Sequence, residues 1–319
     1  MMKTTTKSIV IVSTCLMIGG MVIGGIGFFM GGRPGVQISR QGILSTSTKS
    51  EPCELKKTEL DDFSKAKITI DSYADVQVLP SDDDNFYLEY LLDKSYGKPE
   101  YSVKDDTLTI RQLNHSIGFI NIGFETNETL KNTYLRLYVP KGNALDFMDL
   151  YNDTGDVTIS DTDFKDSKIS VDYGALTLNN TRFDSLDLHL DSGDFIADDT
   201  QITTLNLKNE YGKNNLKNFK GDFITADLDT SSLTVNALEL GSLDCVVEYG
   251  DVKLTLPEKL DTYTFDISVE YGDIMIPKDA PKGFHKERYD DEEYYQTDGD
   301  GKRLIHVKSD TGDVVIDNE

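Results

Sequence analysis

Eight acidic residues recur at matching places in this chain. Asp153, Asp172, Asp191, Glu210, Asp229, Glu248, Glu270 and Asp310 each stand two positions before a glycine, or before Ser231 where serine replaces it. Two chemistries are open to such a column. Carboxylates brought side by side attract Ca2+ or a polycation, whereas a carboxylate at a turn accepts a backbone N–H of that turn. The turn role is the expectation, because one column offers few ligands per ion. Any Ca2+ binding at Asp153, Asp172, Asp191, Glu210, Asp229 and Glu248 is expected to be weak and diffuse, supplemented by Asp156, Asp194, Asp251 and Asp273. The next column, one before the glycine, reads Thr154, Tyr173, Ser192, Tyr211, Thr230, Tyr249, Tyr271 and Thr311. Tyr173, Tyr211, Tyr249 and Tyr271 are the candidate ligand-binding residues. Exposed rings on a rigid support can stack on cell-wall sugars, and packing at a corner of the fold is the competing expectation.

Catalytic constellations are missing. His115, His189, His285 and His306 lack metal-ligand spacing, and there is no nucleophile elbow, phosphate-binding loop or cysteine pair. Only the insertion at 281–303, with Lys286, Arg288 and Asp290, has loop length to spare, and it reads as solvated. No catalytic residue, metal site or cofactor is therefore expected. A polysaccharide-cleaving enzyme is the lowest-ranked reading.

The elements that would position these columns follow from self-similarity. Gly155, Gly174, Gly193, Gly212, Ser231 and Gly250 are spaced by 19 residues, and Gly272 and Gly312 head two looser copies. Two and four residues after each, the chain is mostly apolar, as in Val157 and Ile159 or Leu176 and Leu178. A second apolar pair follows at fourteen and sixteen, as in Ile169 and Val171 or Leu188 and Leu190, and Phe164, Phe183, Ile202 and Leu240 fall at nine. Each copy thus holds two short alternating strands. Such a pair cannot bury its apolar face alone, and no copy has room for a crossover helix. Stacking at roughly 4.8 Å per coil solves both problems. The fold class expected is all-β: a single-stranded parallel β-helix, or β-solenoid, of about 19 residues per coil. Asn209 and Asn214 interrupt the inner columns and are expected to bond to backbone at a corner, while Cys245 is a small buried hydrophobe.

One transmembrane helix is expected ahead of the solenoid. Ile9–Met30 is uncharged and long enough to span a bilayer. Its Gly20, Gly24, Gly27 and Gly31 fall on one helical face, which offers a homodimer contact. The expected organisation is a cytoplasmic stub and anchor at 1–33, a flexible linker at 34–66, and a solenoid at 67–319. The solenoid divides into irregular amino-terminal coils at 67–147, with Ala74 where glycine would stand, and regular coils at 148–319. A hairpin turning at Asp298–Gly301 is expected in the insertion, and the terminal charges Asp317 and Glu319 are expected to guard the last strand edge. With 56 acidic against 32 basic residues and a net charge of -24, the chain is unsuited to nucleic acid.

The repeated Gly-Asp-Val copies, the lead-in TLTI, and LRLYVPKGNALDFMDLYNDTGDVTI behind one apolar segment resemble a bacterial family of unknown function labelled putative adhesin. The likeness covers residues 67 to 319. It implies a β-solenoid displayed outside the cytoplasmic membrane, with relatives often tied to envelope stress, and it transfers no catalytic residue. This chain departs at Ala175, Lys213 and Ser232, where the Asp after glycine is lost. The function expected is a non-catalytic, adhesin-like binding module on the cell membrane, single-pass with its C-terminal domain extracytoplasmic. Cell-wall polysaccharide and polycations are the expected partners. The alternative is an accessory of a membrane stress-sensor protein.

Overall fold

The structure, a computed structural model, describes residues 13–14, 16–23, 35–39, 42–45, 50–114, 118–123, 130–278, 280–289, 292–298 and 302–318. The chain divides into two units, Met1–Glu51 with Asn114–Leu130, and Pro52–Leu113 with Lys131–Glu319.

In the first unit the backbone is helical at 13–14 and 16–23. No helix among the described residues is long and apolar enough to cross a membrane. The span expected over Ile9–Met30 is thus not reproduced, and its residues 9–12, 15 and 24–30 lie outside the described residues. Leu16, Met17, Ile18, Met21, Val22 and Ile23 are all exposed. Of the expected glycine face, Gly20 is described and has open space around it, while Gly24, Gly27 and Gly31 lie outside the described residues. Among its described residues this unit also has three antiparallel strands, in the order Gly42–Ser45, Gly35–Ser39, Gly118–Gly123.

The second unit is the expected stack. Each central rung pairs an 11-residue strand with a four-residue one: Ala144–Thr154 with Val157–Ser160, Asp163–Tyr173 with Leu176–Asn179, and Arg182–Ser192 with Phe195–Asp198. Neighbouring rungs are parallel and in register, so Ile169 faces Leu188 and Leu176 faces Phe195. Gln201–Tyr249 runs as one strand interrupted by the left-handed Asn218 and carries the pattern on to Val252–Leu256. The columns read as apolar point inward. Val157, Ile159, Phe164, Ile169 and Val171 are buried, as are their counterparts in the following rungs, and Phe164 stacks on Phe183 with centroids 4.8 Å apart. Cys245 is buried too, and burial pushes its thiol up to about 12. Where the file of corner side chains reaches Gly221, Phe219 fills the space instead; a Cβ on Gly221 would stand 2.6 Å from its ring.

Two corners turn each rung. At one, backbone runs so close to backbone that glycine recurs, Ala74 and Ser231 being the members of the file with a side chain. A Cβ on Gly155, at φ +120°, would meet the Ala74 carbonyl oxygen at 2.3 Å, and one on Gly193 would meet that of Gly174 at 1.8 Å. The file thus begins at Ala74, as expected. The other corner uses left-handed Asp161, Asn180, Asp199 and Asn218, with φ of 48–51°, residue types that tolerate that conformation.

The ends depart from chain order. At the carboxyl end Leu304–Thr311 and Val314–Asn318 lie directly on the rung ending at Leu256 (Cys245 faces Val307, Val252 faces Val314). The earlier segment Thr264–Tyr271 and Ile274–Met275 lies outside them. At the amino end Lys65–Tyr73 and Asp75–Pro80 lie on the rung of Ala144–Ser160. Thr107–Gln112 and Tyr134–Val139 form the rung beyond.

Antiparallel strands then cover the outermost rungs, so the sheet is parallel in its centre and mixed at its ends. Phe86–Asp93, Pro52–Leu60 and Glu100–Lys104 do so at one end, Glu292–Gln296 and Phe284–Tyr289 at the other. Pro52–Leu60 falls within the segment expected to be a linker. A register shift between Leu55 and Thr58 masks its alternation, which buries Leu60 and half-buries Cys53 and Leu55. The hairpin of the insertion turns between Tyr289 and Glu292 instead of at Asp298–Gly301, because Tyr295 must pair with Ile267 and bury its ring against Phe265. The final strand is not the end of the stack, since it has Val252–Leu256 on one side and Ile274–Met275 on the other. Edge protection therefore comes from the antiparallel strands and not from Asp317.

Candidate functional site

The glycine corner carries two outward files. Directly after the glycine, an aspartate reaches along the stack to the neighbouring rung. Asp75 Oδ1 accepts the N–H of Asp156 (3.1 Å), Asp156 that of Ala175 (2.9 Å) and Asp194 that of Lys213 (2.9 Å). Asp251 accepts the N–H of Asp313 (2.9 Å), and Asp313 that of Asp273 (3.0 Å). Ser232 substitutes its hydroxyl, which receives the N–H of Asp251 at 3.3 Å. Asp156, Asp194, Asp251 and Asp313 of the Gly-Asp pairs are thus brackets between rungs, each spending one oxygen on that bond. Ala175 and Lys213, the departures from the repeat, sit where the residue serves only as the donor.

The buried asparagines tie the same corner from inside, as expected for Asn209 and Asn214. Asn209 donates to the Gly193 carbonyl (3.1 Å) and to Asn214 Oδ1 (2.9 Å), while Asn214 donates to Ser231 Oγ (3.1 Å) and the Ser232 carbonyl (3.0 Å). Ser231 in turn donates to the Gly212 carbonyl at 2.9 Å. Asn152, overlooked in the sequence, bonds likewise to the Ala74 and Gly155 carbonyls.

The column two before the glycine lies on the outer face, next to side chains four before it. Its carboxylates take side-chain partners in place of the turn N–H expected from sequence. Tyr151 donates to Asp172 (2.7 Å), Asp191 lies 2.8 Å from His189 Nε2, and Glu210 lies 3.8 Å from Lys208 Nζ. Asp153 and Asp229 accept from the adjacent Thr154 and Thr230 hydroxyls. Glu248 is exposed. Desolvation first, then the charge of Asp71, holds Asp153 above the usual carboxylate range, and burial together with Asp172 holds the Tyr151 phenol above its own.

One histidine does join this file. Ligand atoms of His189, Asp191 and Glu210 lie within 4.8 Å of one another. The trio mixes one imidazole with two carboxylates, a set able to take a divalent cation that keeps several waters. The ammonium of Lys208 beside Glu210 competes for the same charge. A His two positions before an Asp, with an acid one coil further on, was the signal that sequence reading missed. His306 pairs with Asp244 at 2.7 Å; the side chains of His115 and His285 lie outside the described residues.

The tyrosine column is exposed. Tyr73, Tyr173, Tyr211, Tyr249 and Tyr271 keep 48%, 60%, 53%, 57% and 53% of their accessible surface. Among the described residues, no close ring–ring or cation–ring pair includes any of them, and about half of each residue is open to solvent. Tyr73 is an addition to the sequence-derived set. It faces Thr154, which faces Tyr173, then Ser192 and Tyr211. Thr230 and Tyr249 follow at the 19-residue interval, and Thr311 lies between Tyr249 and Tyr271. Along the stack, aromatic and small hydroxyl residues therefore alternate over nine rungs, from Tyr73 to Tyr271. In chain order Tyr249 and Tyr271 are successive and the alternation fails; the inserted rung restores it.

Solved structures to which this chain is similar include a putative adhesin from Parabacteroides merdae ATCC 43184, 12% identical, covering 85% of this chain and 98% of that one with a TM-score of 0.49. A putative adhesin from Bacteroides fragilis NCTC 9343 is 14% identical over 86% of this chain and 100% of that one, with a TM-score of 0.43. A putative lipid binding protein from Parabacteroides distasonis ATCC 8503 is 11% identical over 85% and 99%, with a TM-score of 0.38. No curated protein matches. The family comparison takes in nearly the whole stack, from the first inner rung at residue 65 to the last strand at 317, and by that match the chain belongs to the family described as Toastrack DUF4097.

Proposed function

We propose that this protein is a non-catalytic, adhesin-like binding module held on the cell membrane by its amino-terminal segment, with the stacked domain outside the cytoplasm. The observation that carries the reading is the outer face of the glycine corner. There, exposed tyrosines and carboxylates repeat at the fixed pitch of a rigid stack, so weak contacts add through multivalency. The apolar run Ile9–Met30 supports the anchor, being long enough to span a bilayer. The acidic surface supports a neutral or cationic partner over nucleic acid.

Two measurements on the full chain test this. Protease added to intact cells should digest the 65–317 domain and spare a membrane-bound stub, and purified envelope should retain the detergent-solubilised protein. Protection of the domain in intact cells, or loss of retention, refutes the reading. Release of reducing ends from polysaccharides incubated with the protein would refute its non-catalytic part.

A further inference from the structure

We propose that the tyrosine file is a track for an uncharged, linear 1,4-linked polysaccharide that lies along the stack and meets one tyrosine per two sugar rings. The inference rests on the binding-module reading and specifies its ligand.

Three observations carry it. The first is the period. Rungs repeat at about 4.8 Å, so tyrosines on alternate rungs recur at about 9.6 Å, close to the advance of two pyranose rings in an extended 1,4-linked chain. From Tyr73 to Tyr271 the file crosses eight rung intervals, about 38 Å at that spacing. The second is that the fold does not demand the alternation. A structural need of the corner would return at every rung, as the glycine does, and aromatic residues stack without penalty on successive strands. Here the small residues Thr154, Ser192, Thr230 and Thr311 hold the same register as the tyrosines they separate. The pattern moreover continues to Tyr271 only in the spatial order of rungs, since the rung of Thr311 enters from the chain terminus.

The third observation is chemical. Tyrosine rings offer an apolar face with a hydroxyl at the edge, which suits the C–H face and hydroxyl rim of a sugar. The hydroxyl residues between them and the adjoining carboxylates supply donors and acceptors for sugar hydroxyls. Acidic files on both sides, in a chain of net charge -24, repel a polyanion. An extended peptide presents its side chains at about 6.6–6.8 Å on one face and misses the period. A polyproline helix, at about 9.3 Å per turn, matches it and is the competitor to test.

The test uses the full chain in detergent micelles, titrated with chitin-derived oligosaccharides of two to eight sugars and, separately, with an oligoproline peptide. Affinity should climb with every second sugar, the octamer binding about 100-fold tighter than the dimer as further tyrosines are engaged. Replacing Tyr173, Tyr211 and Tyr249 together by Thr should flatten that climb. Threonine is native at the same register in other rungs, so the melting temperature should not change. Absence of oligosaccharide binding, equal binding by the triple variant, or a preference for oligoproline overturns the proposal. If the triple variant still binds whole envelope as the wild type does, the track fails while the binding-module reading stands. Failure of the wild type to bind envelope removes the broader reading.

Discussion

The central rungs and the two ends of the stack solve one problem in opposite ways. Between Ala144 and Leu256 each rung is covered by the next 19 residues, so the side that one coil exposes is buried by the coil that follows. At the ends the covering segment comes from far along the chain. The Asp75–Asp156 bracket joins residues 81 apart, and the Asp251–Asp313 bracket residues 62 apart. Closing loops of that length instead of 19 residues costs only about 1 kcal/mol more in chain entropy. In return, both ends finish in antiparallel strands, and the open parallel edge that would recruit another chain is covered. The repeat therefore dictates the register of the centre, whereas unlike sequences converge on one capping geometry at either end.

Removing residues 302–319 should break this arrangement most severely. The deleted rung sits between two others, and Ile305, Val307, Val314 and Ile316 are all buried in it, each worth about 1.5–3 kcal/mol of transfer free energy. Hydrogen exchange should show protection lost across 264–296 and reduced in 239–256, with 163–198 unchanged. Full protection of 264–296 in the truncated chain would mean that the outer rung stands without the inserted one.

A single methyl group should act next most strongly, in the centre. Gly193→Ala places a Cβ 1.8 Å from a backbone oxygen, and relieving that overlap must push neighbouring rungs apart, at about 3 kcal/mol. Ser231→Ala, in the same file, loses its bond to the Gly212 carbonyl and its acceptance of the Asn214 amide, about 2 kcal/mol together. Urea unfolding of both variants should rank them in that order, and equal midpoints would deny the glycine its steric role.

The aspartate brackets sharpen the contrast further. They run unbroken over Asp251, Asp313 and Asp273 at the carboxyl end, whereas in the centre Ala175 and Lys213 interrupt them. Asp313→Ala should cost about 1 kcal/mol by taking away the acceptor for the Asp273 N–H. Ala175→Asp should stabilise the centre by about 0.5 kcal/mol through a new bracket to the following rung. A loss of stability on Ala175→Asp would show that the interruption is needed.

How much of this was legible follows from what a period can encode. Residues that recur every 19 positions, such as Val157, Leu176 and Phe195, declare the inner columns and the parallel register directly. Ala74 was recognisable as the first member of the glycine file because the residues around it keep the repeat. The swapped order of Gly312 and Gly272 was not, because both copies fit the stack equally well and only packing at 264–296 decides between them. Pro52–Leu60 was hidden by its bulge. The left-handed corner was within reach, since Asp161, Asn180, Asp199 and Asn218 keep the same period. Within the candidate site the near alternation of tyrosine and small hydroxyl residues was visible from Thr154 to Tyr249, but its completion through Thr311 to Tyr271 depends on the spatial order and so needed the fold. The bracket role of the Gly-Asp aspartate was missed for a related reason: its partner lies one rung away and carries no signature beyond an N–H.

The smallest effect distinguishes two parts of the acidic file. Near Asp153 the neighbouring charges are Asp71 and Asp172, and burial with the first of these raises its pKa in the folded state. The ionised form is thus disfavoured by folding. Below the unfolded carboxylate value of about 3.9 both states are protonated and nothing is lost. As pH rises through the carboxylate range a destabilising contribution appears, and it is complete above the raised folded value. Asp153→Asn should therefore stabilise the protein at neutral pH by a few tenths of a kcal/mol, solvent screening keeping the effect small, and the gain should vanish at pH 3. Around Asp191 the adjoining column supplies His189, at 2.8 Å, and Lys208 beside the neighbouring Glu210, so Asp191→Asn removes an ion-pair partner and should bring no gain in stability at neutral pH. Thermal melts of both variants at pH 3 and pH 7 would show the difference, and a neutral-pH gain in both would mean that the whole file repels itself despite its basic neighbours.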